Sequence, residues 1–314
     1  MGYIYADNAA TTKMSRHAAD VMLGVIENNY ANPSSLHTPG QLAAVQLAES
    51  RQTIAKILNC EPREIIFTGG GSEADNQALL SAAAIGQRKG KKHIISTKFE
   101  HHAVLHTLKK LEKQGFEVTY LDVYENGIVR PEDVKAAIRP DTVLVSVMYA
   151  NNEIGTIQPI RAIGAICREQ GVLFHTDAVQ AVGHLPIDVQ ADNIDMLSLS
   201  AHKFHGPKGV GALYARKGVA LTSLIEGGAQ ERGKRAGTED LPAIAGMAAA
   251  LQDAVREMDA NTAKVSALRD QLIEGLSAIP HSTLTGDREH RLPGCASFCF
   301  EGIEGESLLL LLDQ

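Results

Sequence analysis

Residues 142–148 form the run Thr142-Val143-Leu144-Val145-Ser146-Val147-Met148. Side chains along a β-strand point alternately to opposite faces, and this run places apolar residues on both of them. A strand of this kind is typical of a parallel sheet that is covered by helices on both sides. The run therefore predicts a buried strand inside an α/β protein.

Short β-rich runs and helical stretches alternate on either side of this strand. The other predicted strands lie at 64–68, 93–97, 117–122, 172–176, 194–200 and 210–215. The predicted helices lie at 73–89, 101–114, 131–138 and 160–170. This alternation predicts a mainly parallel, doubly wound sheet, in which ligands bind beyond the carboxyl ends of the strands.

The pattern changes after Glu239. Two long helices are predicted at 241–258 and 262–279, followed by a strand at 296–300, and the helix and strand after residue 260 predict a smaller α+β domain. We place the large domain at 13–259 and the small domain at 260–314. Residues 1–12 are expected to pack with the small domain.

Composition excludes several classes of partner. The chain has 314 residues and a net charge of −7, and its basic residues are scattered, which argues against nucleic acid. No apolar stretch approaches the roughly 20 residues of a membrane-spanning helix, so no membrane partner is expected. Cys60, Cys167, Cys295 and Cys299 show no metal-ligand spacing, and residues 1–7 do not show the charged-then-apolar pattern that is typical of a secretion signal. These features predict reduced thiols in a cytoplasmic protein.

The first candidate site is Gly69-Gly70-Gly71-Ser72, at the end of a predicted strand and the start of a helix. Glycines allow close approach of the backbone, and the N–H groups at a helix N-terminus favour a phosphate. Ser72 can cap the helix and offer its hydroxyl.

Two other interpretations of this segment are open. It can be an ordinary glycine-rich turn, or it can bind a dinucleotide, because Gly69, Gly71 and Ala74 fit the pattern G-x-G-x-x-A. A dinucleotide site requires an acidic residue at the end of the next strand to bind the ribose. That strand ends at Thr97, and the first acidic residue, Glu100, lies beyond the strand end, which argues against NAD.

Two further candidates also follow strands. Asp177 comes directly after the strand at 172–176, where it can cap a helix or accept a hydrogen bond from a protonated ring nitrogen, and Gln180 falls on the same side. Lys203 lies in a loop after the strand at 194–200, where partial desolvation lowers a lysine pKa and makes the amine reactive.

Together these parts suit pyridoxal phosphate (PLP). The glycine-rich turn would bind the phosphate, Asp177 would keep the pyridine nitrogen protonated, and Lys203 would bind the aldehyde. His101 can stack on the cofactor ring or simply end a helix. His102 and His106 have metal-pair spacing, but no third ligand is evident, so no metal is predicted.

The chain resembles the NifS/IscS-type cysteine desulfurases, class V members of the PLP-dependent transferase-like fold. The resemblance covers essentially all 314 residues. It rests on the motifs Tyr5-Ala6-Asp7-Asn8-Ala9-Ala10-Thr11-Thr12, Asn32-Pro33-Ser34-Ser35, Glu100-His101, Asn151-Asn152-Glu153-Ile154-Gly155, His175-Thr176-Asp177-Ala178-Val179-Gln180, Ser200-Ala201-His202-Lys203 and Arg235-Ala236-Gly237-Thr238.

The resemblance implies a role for each matched position. Lys203 would bind the cofactor covalently, Asp177 its ring nitrogen and Gln180 its ring hydroxyl, with His101 stacked on the ring. The implied phosphate ligands are Gly71, Ser72, Ser200, His202 and, across a homodimer interface, Thr238. Asn152 and Asn32 would orient the substrate.

The implied reaction takes sulfur from L-cysteine, leaving L-alanine and a persulfide on an enzyme cysteine. The sulfur would then pass to an acceptor or scaffold protein for iron–sulfur or thio-cofactor assembly.

The match departs from the family near its end. In the family, the region that matches Ser297 to Leu312 leads into a loop with the sulfur-accepting cysteine, and an arginine that binds the substrate carboxylate follows. This sequence stops at Gln314, and none of its four cysteines fits that role. We therefore expect a truncated chain that binds PLP weakly, releases no sulfur catalytically and exposes Leu308 to Leu312.

Two alternative functions stay open. One is another class V PLP enzyme, such as a selenocysteine lyase or an aminotransferase, which would share Lys203 and Asp177. The other is a catalytically silent PLP-fold binding protein. It predicts a damaged cofactor site, whereas every matched cofactor position here is chemically competent.

Overall fold

The computed structural model describes residues 4–313, and a seven-stranded sheet forms its centre. The strands of this sheet are β1 Ile65–Thr68, β2 His93–Thr97, β3 Glu117–Leu121, β4 Thr142–Ser146, β5 Leu173–Asp177, β6 Met196–Ser200 and β7 Gly211–Ala215. Their spatial order is β1-β7-β6-β5-β4-β2-β3. Only β7 runs antiparallel to its neighbours in this sheet, so the predicted mainly parallel α/β sheet is confirmed.

Helices cover both faces of the sheet. They are α1 Arg16–Asn28, α2 Thr38–Leu58, α3 Gly71–Arg88, α4 His102–Glu112, α5 Pro131–Ala137, α6 Ile160–Gln170, α7 Gln230–Gly233 and α8 Leu241–Arg256. Val145 packs with α2, α6 and α8 in one core, whereas its neighbour Leu144 packs with α3 and α4 in another. The strand β4 is therefore apolar on both faces because helices cover both sides of the sheet, as the sequence predicted.

The C-terminal lobe contains α9 Met258–Ser277, a two-stranded antiparallel sheet of β8 Ser282–Leu284 and β9 Phe298–Phe300, and α10 Gly305–Leu312. The predicted boundary at residue 260 falls inside the first turn of α9. Leu309, Leu310, Leu311 and Leu312 are 66–77% exposed, as expected, whereas Leu308 is half-buried, contrary to the expectation. Within residues 4–313 no helix combines the length and apolar character that a bilayer-spanning segment requires.

The structure differs from the sequence prediction near the N-terminus. The helix α1 and the strand β8 were not predicted. Thr12 donates its backbone N–H to the His202 carbonyl at 2.9 Å, and the Ala9 carbonyl accepts from Gln180 Nε2 at 2.9 Å. Ala9 and Thr12 are therefore hydrogen-bonded to the large domain, while the same segment also borders a cavity that is lined by Val265 and Cys295 of the C-terminal lobe. Residues 1–3 lie outside the described part of the chain.

A buried ion pair fixes the loop before α8 to the edge strand β1. Arg51 of α2 and Glu231 of α7 meet at 2.6 Å, and their side chains are 10% and 1% exposed. Glu231 also accepts the Phe67 N–H at 3.0 Å, and Arg51 donates to the Ile65 carbonyl at 2.7 Å. Neither charge reaches bulk water, so each depends on the other.

We expect Arg51→Met to lower the free energy of unfolding by about 3–5 kcal/mol, because it removes the ion-pair partner of the buried Glu231 carboxylate. Urea unfolding would measure the loss. Arg16→Met is the matched control, since Arg16 and Asp20 form an ion pair whose side chains are 88% and 51% exposed. That change should cost no more than about 0.5 kcal/mol, and an equal loss in both variants would contradict the argument.

Candidate active site

A cavity of about 480 Å³ opens at the carboxyl ends of β4, β5 and β6, beside the N-terminus of α3. Nine of the residues that the sequence singled out line it, namely Gly71, Ser72, His101, Asn152, Asp177, Gln180, Ser200, His202 and Lys203. These residues come from separate strand ends and loops, as the sheet topology predicts.

The start of α3 provides a place for an anion. Gly70 precedes the helix with φ 146°, and no side-chain hydrogen bond caps the helix there. The expectation that Ser72 is the cap is therefore wrong: the helix begins at Gly71, and Ser72 lies in its first turn. A Cβ on Gly71 would lie 2.6 Å from Val179 Cγ2, so the backbone approach at this point requires glycine. The helix N-terminus with the hydroxyls of Ser72 and Ser200 suits a phosphate.

Asp177 ends β5 and is 5% exposed. Burial raises the pKa of its carboxyl, while the Val179 N–H, which donates to Oδ1 at 3.0 Å, and the charges of His101 and Lys203 lower it. The carboxyl thus lies in a nearly dry site with cationic groups on one side. Such a group suits a protonated ring nitrogen, because a partner with a positive charge would compensate for the burial.

Lys203 ends a 3-10 turn that follows β6. Its ammonium donates hydrogen bonds to the carbonyl oxygens of Ala9 and Ala10, the latter at 2.9 Å. Burial lowers the pKa of Lys203, although the carboxylates of Asp177 and Asp7 act in the opposite direction. Lys208, the other lysine of this loop, does not line the cavity. The lysine that the sequence favoured is therefore the one beside Asp177.

The two histidines of the site are held differently. His101 is the N-cap of α4, and its Nδ1 accepts the Ala103 N–H at 3.1 Å, so it ends a helix and also borders the cavity. His202 Nδ1 lies 3.0 Å from Thr11 Oγ1, and burial lowers the pKa of its ring. Stacking of His101 on a ring and a phosphate contact from His202 stay predictions.

The cavity includes residues that sequence reasoning left without a role, among them Asp7, Asp75, Met148, Glu153 and Val179. Asp75 was detectable in principle, since it lies four residues after Gly71 and therefore on the same face of α3. Met148 lies just beyond the end of β4.

Two predicted site residues do not reach the cavity of this chain. Asn32 and Thr238 are both exposed. The loop that carries Thr238 is fixed by Arg235, which bonds Glu73 at 3.0 Å, and by the Lys234 carbonyl, which accepts from Gln77 at 2.8 Å. A contact from Thr238 to a cofactor in a partner subunit stays a prediction.

The geometry also bears on the two other ligands that the sequence raised, a dinucleotide and a metal ion. Glu100 cannot serve as a ribose ligand at the sheet edge, because it is buried and accepts hydrogen bonds from Thr97 at 2.7 Å and the Met148 N–H at 2.9 Å. His102 and His106 stack with ring centroids 5.1 Å apart. Among residues 4–313, three potential metal ligands come together only at Asp75, His101 and Asp177.

Comparison with known proteins relates this chain to the family that the sequence motifs resemble. Residues 4–314 match the family model described as aminotransferase class-V. A cysteine desulfurase IscS of Clostridium botulinum is 53% identical over 314 residues, covering 99% of this chain and 79% of the relative. A solved structure titled NifS-like protein superimposes with a TM-score of 0.96 at 40% identity, covering 99% of this chain and 85% of the other.

A second solved structure, titled SspA in complex with cysteine, has a TM-score of 0.86 and 36% identity, covering 99% of this chain and 87% of the other. Sequence, fold and site geometry thus lead to one conclusion: this chain belongs to the class V aminotransferase family.

Proposed function

We propose that this protein is a PLP-dependent cysteine desulfurase, a member of the class of enzymes that convert L-cysteine to L-alanine and pass the sulfur to a cysteine thiol as a persulfide. The observation that carries the proposal is the meeting of Lys203, Asp177 and the N-terminus of α3 around one cavity. Relatives named cysteine desulfurase and a similar structure in complex with cysteine support the substrate.

PLP supplies an electron sink for the electron pair left at the substrate Cα when its proton is removed. The protein's own residues make that sink effective. The first turn of α3, Ser72, Ser200 and His202 would bind the phosphate, and Asp177 would hold a proton on the ring nitrogen. Lys203, whose pKa is lowered by burial, would bind the aldehyde through its amine and would accept the Cα proton. Asn152 lines the same cavity and orients the substrate.

The thiols of this chain differ in their suitability as sulfur acceptors. Burial raises the pKa of both Cys60 and Cys167 to about 12, so these thiols stay protonated and unreactive. Cys295 lines a neighbouring cavity that shares Asn152 and Glu153 with the active site, and burial raises the pKa of its thiol too.

The onward acceptor of the sulfur would be a protein that serves iron–sulfur or thio-cofactor assembly. Free thiols suit the reducing cytoplasm, where we place the protein.

The proposal includes a homodimer. Large apolar side chains are exposed on α1, α2 and the segment between them: Ile26 at 53%, Tyr30 at 83%, Leu36 at 92% and Leu42 at 59%. Asn29 Nδ2 donates to the Leu42 carbonyl at 3.4 Å, which holds the two helices as one surface. Exposed apolar surface of this kind is typical of a subunit interface. A second copy would also bring Thr238 to the partner's site.

We expect borohydride to fix PLP covalently on the peptide that contains Lys203. Its position and its lowered pKa favour attack on the aldehyde. Mass spectrometry after digestion would locate the label. Lys208→Ala is the matched control and should keep full labelling, whereas Lys203→Ala should lose it. Labelling at Lys208 would contradict the assignment.

We expect Asp177→Ala to slow exchange of the L-cysteine Cα proton with D₂O by about 100-fold or more, because the ring nitrogen loses its counter-charge. Proton NMR would measure the exchange, which requires no sulfur acceptor. Bound PLP should largely remain, since the phosphate ligands are intact. Exchange with L-alanine but never with L-cysteine would instead favour another class V reaction.

A subunit-mixing experiment tests the shared site. Lys203→Ala and Thr238→Ala should each lose Cα exchange, yet equal mixing of the two should restore about a quarter of the wild-type rate, because each mixed C2 dimer has one undamaged site. Mixing Lys203→Ala with Asp177→Ala is the control and should restore nothing, as both lesions lie in the same cavity. No recovery in the first mixture would contradict a contribution from Thr238 in the partner subunit.

A further inference from the structure

The floor of the active-site cavity contains a second carboxyl group beside Asp177. Asp75 of α3 lines the cavity, is 1% exposed, and its Oδ1 accepts no hydrogen bond. Ligand atoms of Asp75, Asp177 and His101 lie within 4.8 Å of one another. Two carboxyl groups this close in a nearly dry site cannot both be ionised without a large cost in free energy.

The surroundings of Asp75 contain no cation in direct contact. Its Oδ1 lies 3.6 Å from His175 Nε2, and Ser198 provides its side-chain hydrogen bond. His175 itself lies between two hydroxyls, with Nδ1 2.9 Å from Ser146 Oγ and Nε2 3.0 Å from Ser198 Oγ. Burial lowers the pKa of His175 to about 3, so its ring is neutral. The groups nearest to Oδ1 of Asp75 on this side are thus neutral, and none of them stabilises a negative charge as an ion-pair partner.

The surroundings of Asp177 are different. It accepts the Val179 N–H at 3.0 Å, and the charges of His101 and Lys203 favour its ionised form. Glu100, the third acid facing the pair, bonds Thr97 and the Met148 N–H, and burial raises its pKa to about 8. Burial, and then the charge of Asp177, raises the pKa of Asp75 well above its ordinary value. When the environments of two neighbouring acids shift their pKa values apart, the acid with the higher pKa holds the proton.

We propose that Asp75 is a positioning residue that stays protonated, so that Asp177 alone carries the negative charge beneath the cofactor ring. This inference rests on the proposed function, since it concerns the residue that would bind the ring nitrogen. A neutral Asp75 lets the ring nitrogen interact with one defined carboxylate. If Asp75 were ionised, its charge would compete for the same proton and raise the proton affinity of Asp177.

The direct test is infrared difference spectroscopy of the PLP-loaded protein, wild type minus Asp75→Asn, at neutral pH. Asparagine matches the shape of a protonated aspartic acid and also donates a hydrogen bond. We expect the difference spectrum to show a protonated carboxyl band that belongs to Asp75. Glu100→Gln is the matched control and should leave that band in place. The same band can be followed in the wild type alone by pH titration.

Unfolding equilibria give a second readout. An acid whose pKa is raised in the folded state holds a proton that the unfolded chain releases, so its stabilising contribution is lost as the pH rises above the unfolded pKa. Relative to Asp75→Asn, the wild-type unfolding constant should rise about tenfold per pH unit above about pH 4, until Asp75 ionises in the folded state. Cα exchange should survive in Asp75→Asn and fall in Asp75→Ala.

Two results would overturn the inference. One is an ionised Asp75 at neutral pH, shown by no change in the protonated carboxyl region. The other is a band that appears only after treatment with a chelator, which would mean that Asp75, His101 and Asp177 hold a cation. Absence of Cα exchange with L-cysteine in the wild type would defeat the proposed function instead, and it would leave the infrared and unfolding results valid.

Discussion

Burial of the central sheet on both faces is the constraint on which the rest of this structure depends. Leu144 and Val145 are neighbours in β4, yet they belong to different cores on opposite faces of the sheet. A polar side chain in the middle of such a strand must find a partner inside the protein. The ends of the strands are the places where polar groups can meet a ligand. The cavity at the carboxyl ends of β4, β5 and β6 follows from this constraint.

The same burial determines the electrostatics of the site. Asp177, Asp75 and Glu100 are 5%, 1% and 5% exposed, so water stabilises their charges poorly. Burial raises the pKa of each acid and lowers the pKa of Lys203. Burial in the cavity therefore favours the neutral form of the lysine and a carboxylate that is compensated by a cationic partner. The proposed PLP site would use both properties.

The helix α3 connects the fold to the chemistry. It starts in the cavity at Gly71, where the backbone approaches Val179, and it continues as a buried helix beneath β4 to β7. Its first turn would bind the phosphate, and Asp75 in its second turn lies beside Asp177. The loop with Thr238 is tied to this helix through Glu73 and Gln77. A shift of α3 would disturb all of these groups at once.

The sequence by itself determined the mainly parallel sheet, most of its strand boundaries and the identity of the lysine and aspartate that meet in the cavity. These features depend on local patterns: apolar periodicity, glycines at a turn, and polar residues directly after strands. It missed α1 and did not reveal the hydrogen bonds of Ala9 and Thr12 to the large domain, because their partners are about 170 to 190 positions away in the chain. Only the tertiary structure decided that Asp75 faces Asp177 and that Thr238 lies outside its own cavity. Proximity between α3, β5 and the loop before α8 is created by packing, which no local pattern encodes.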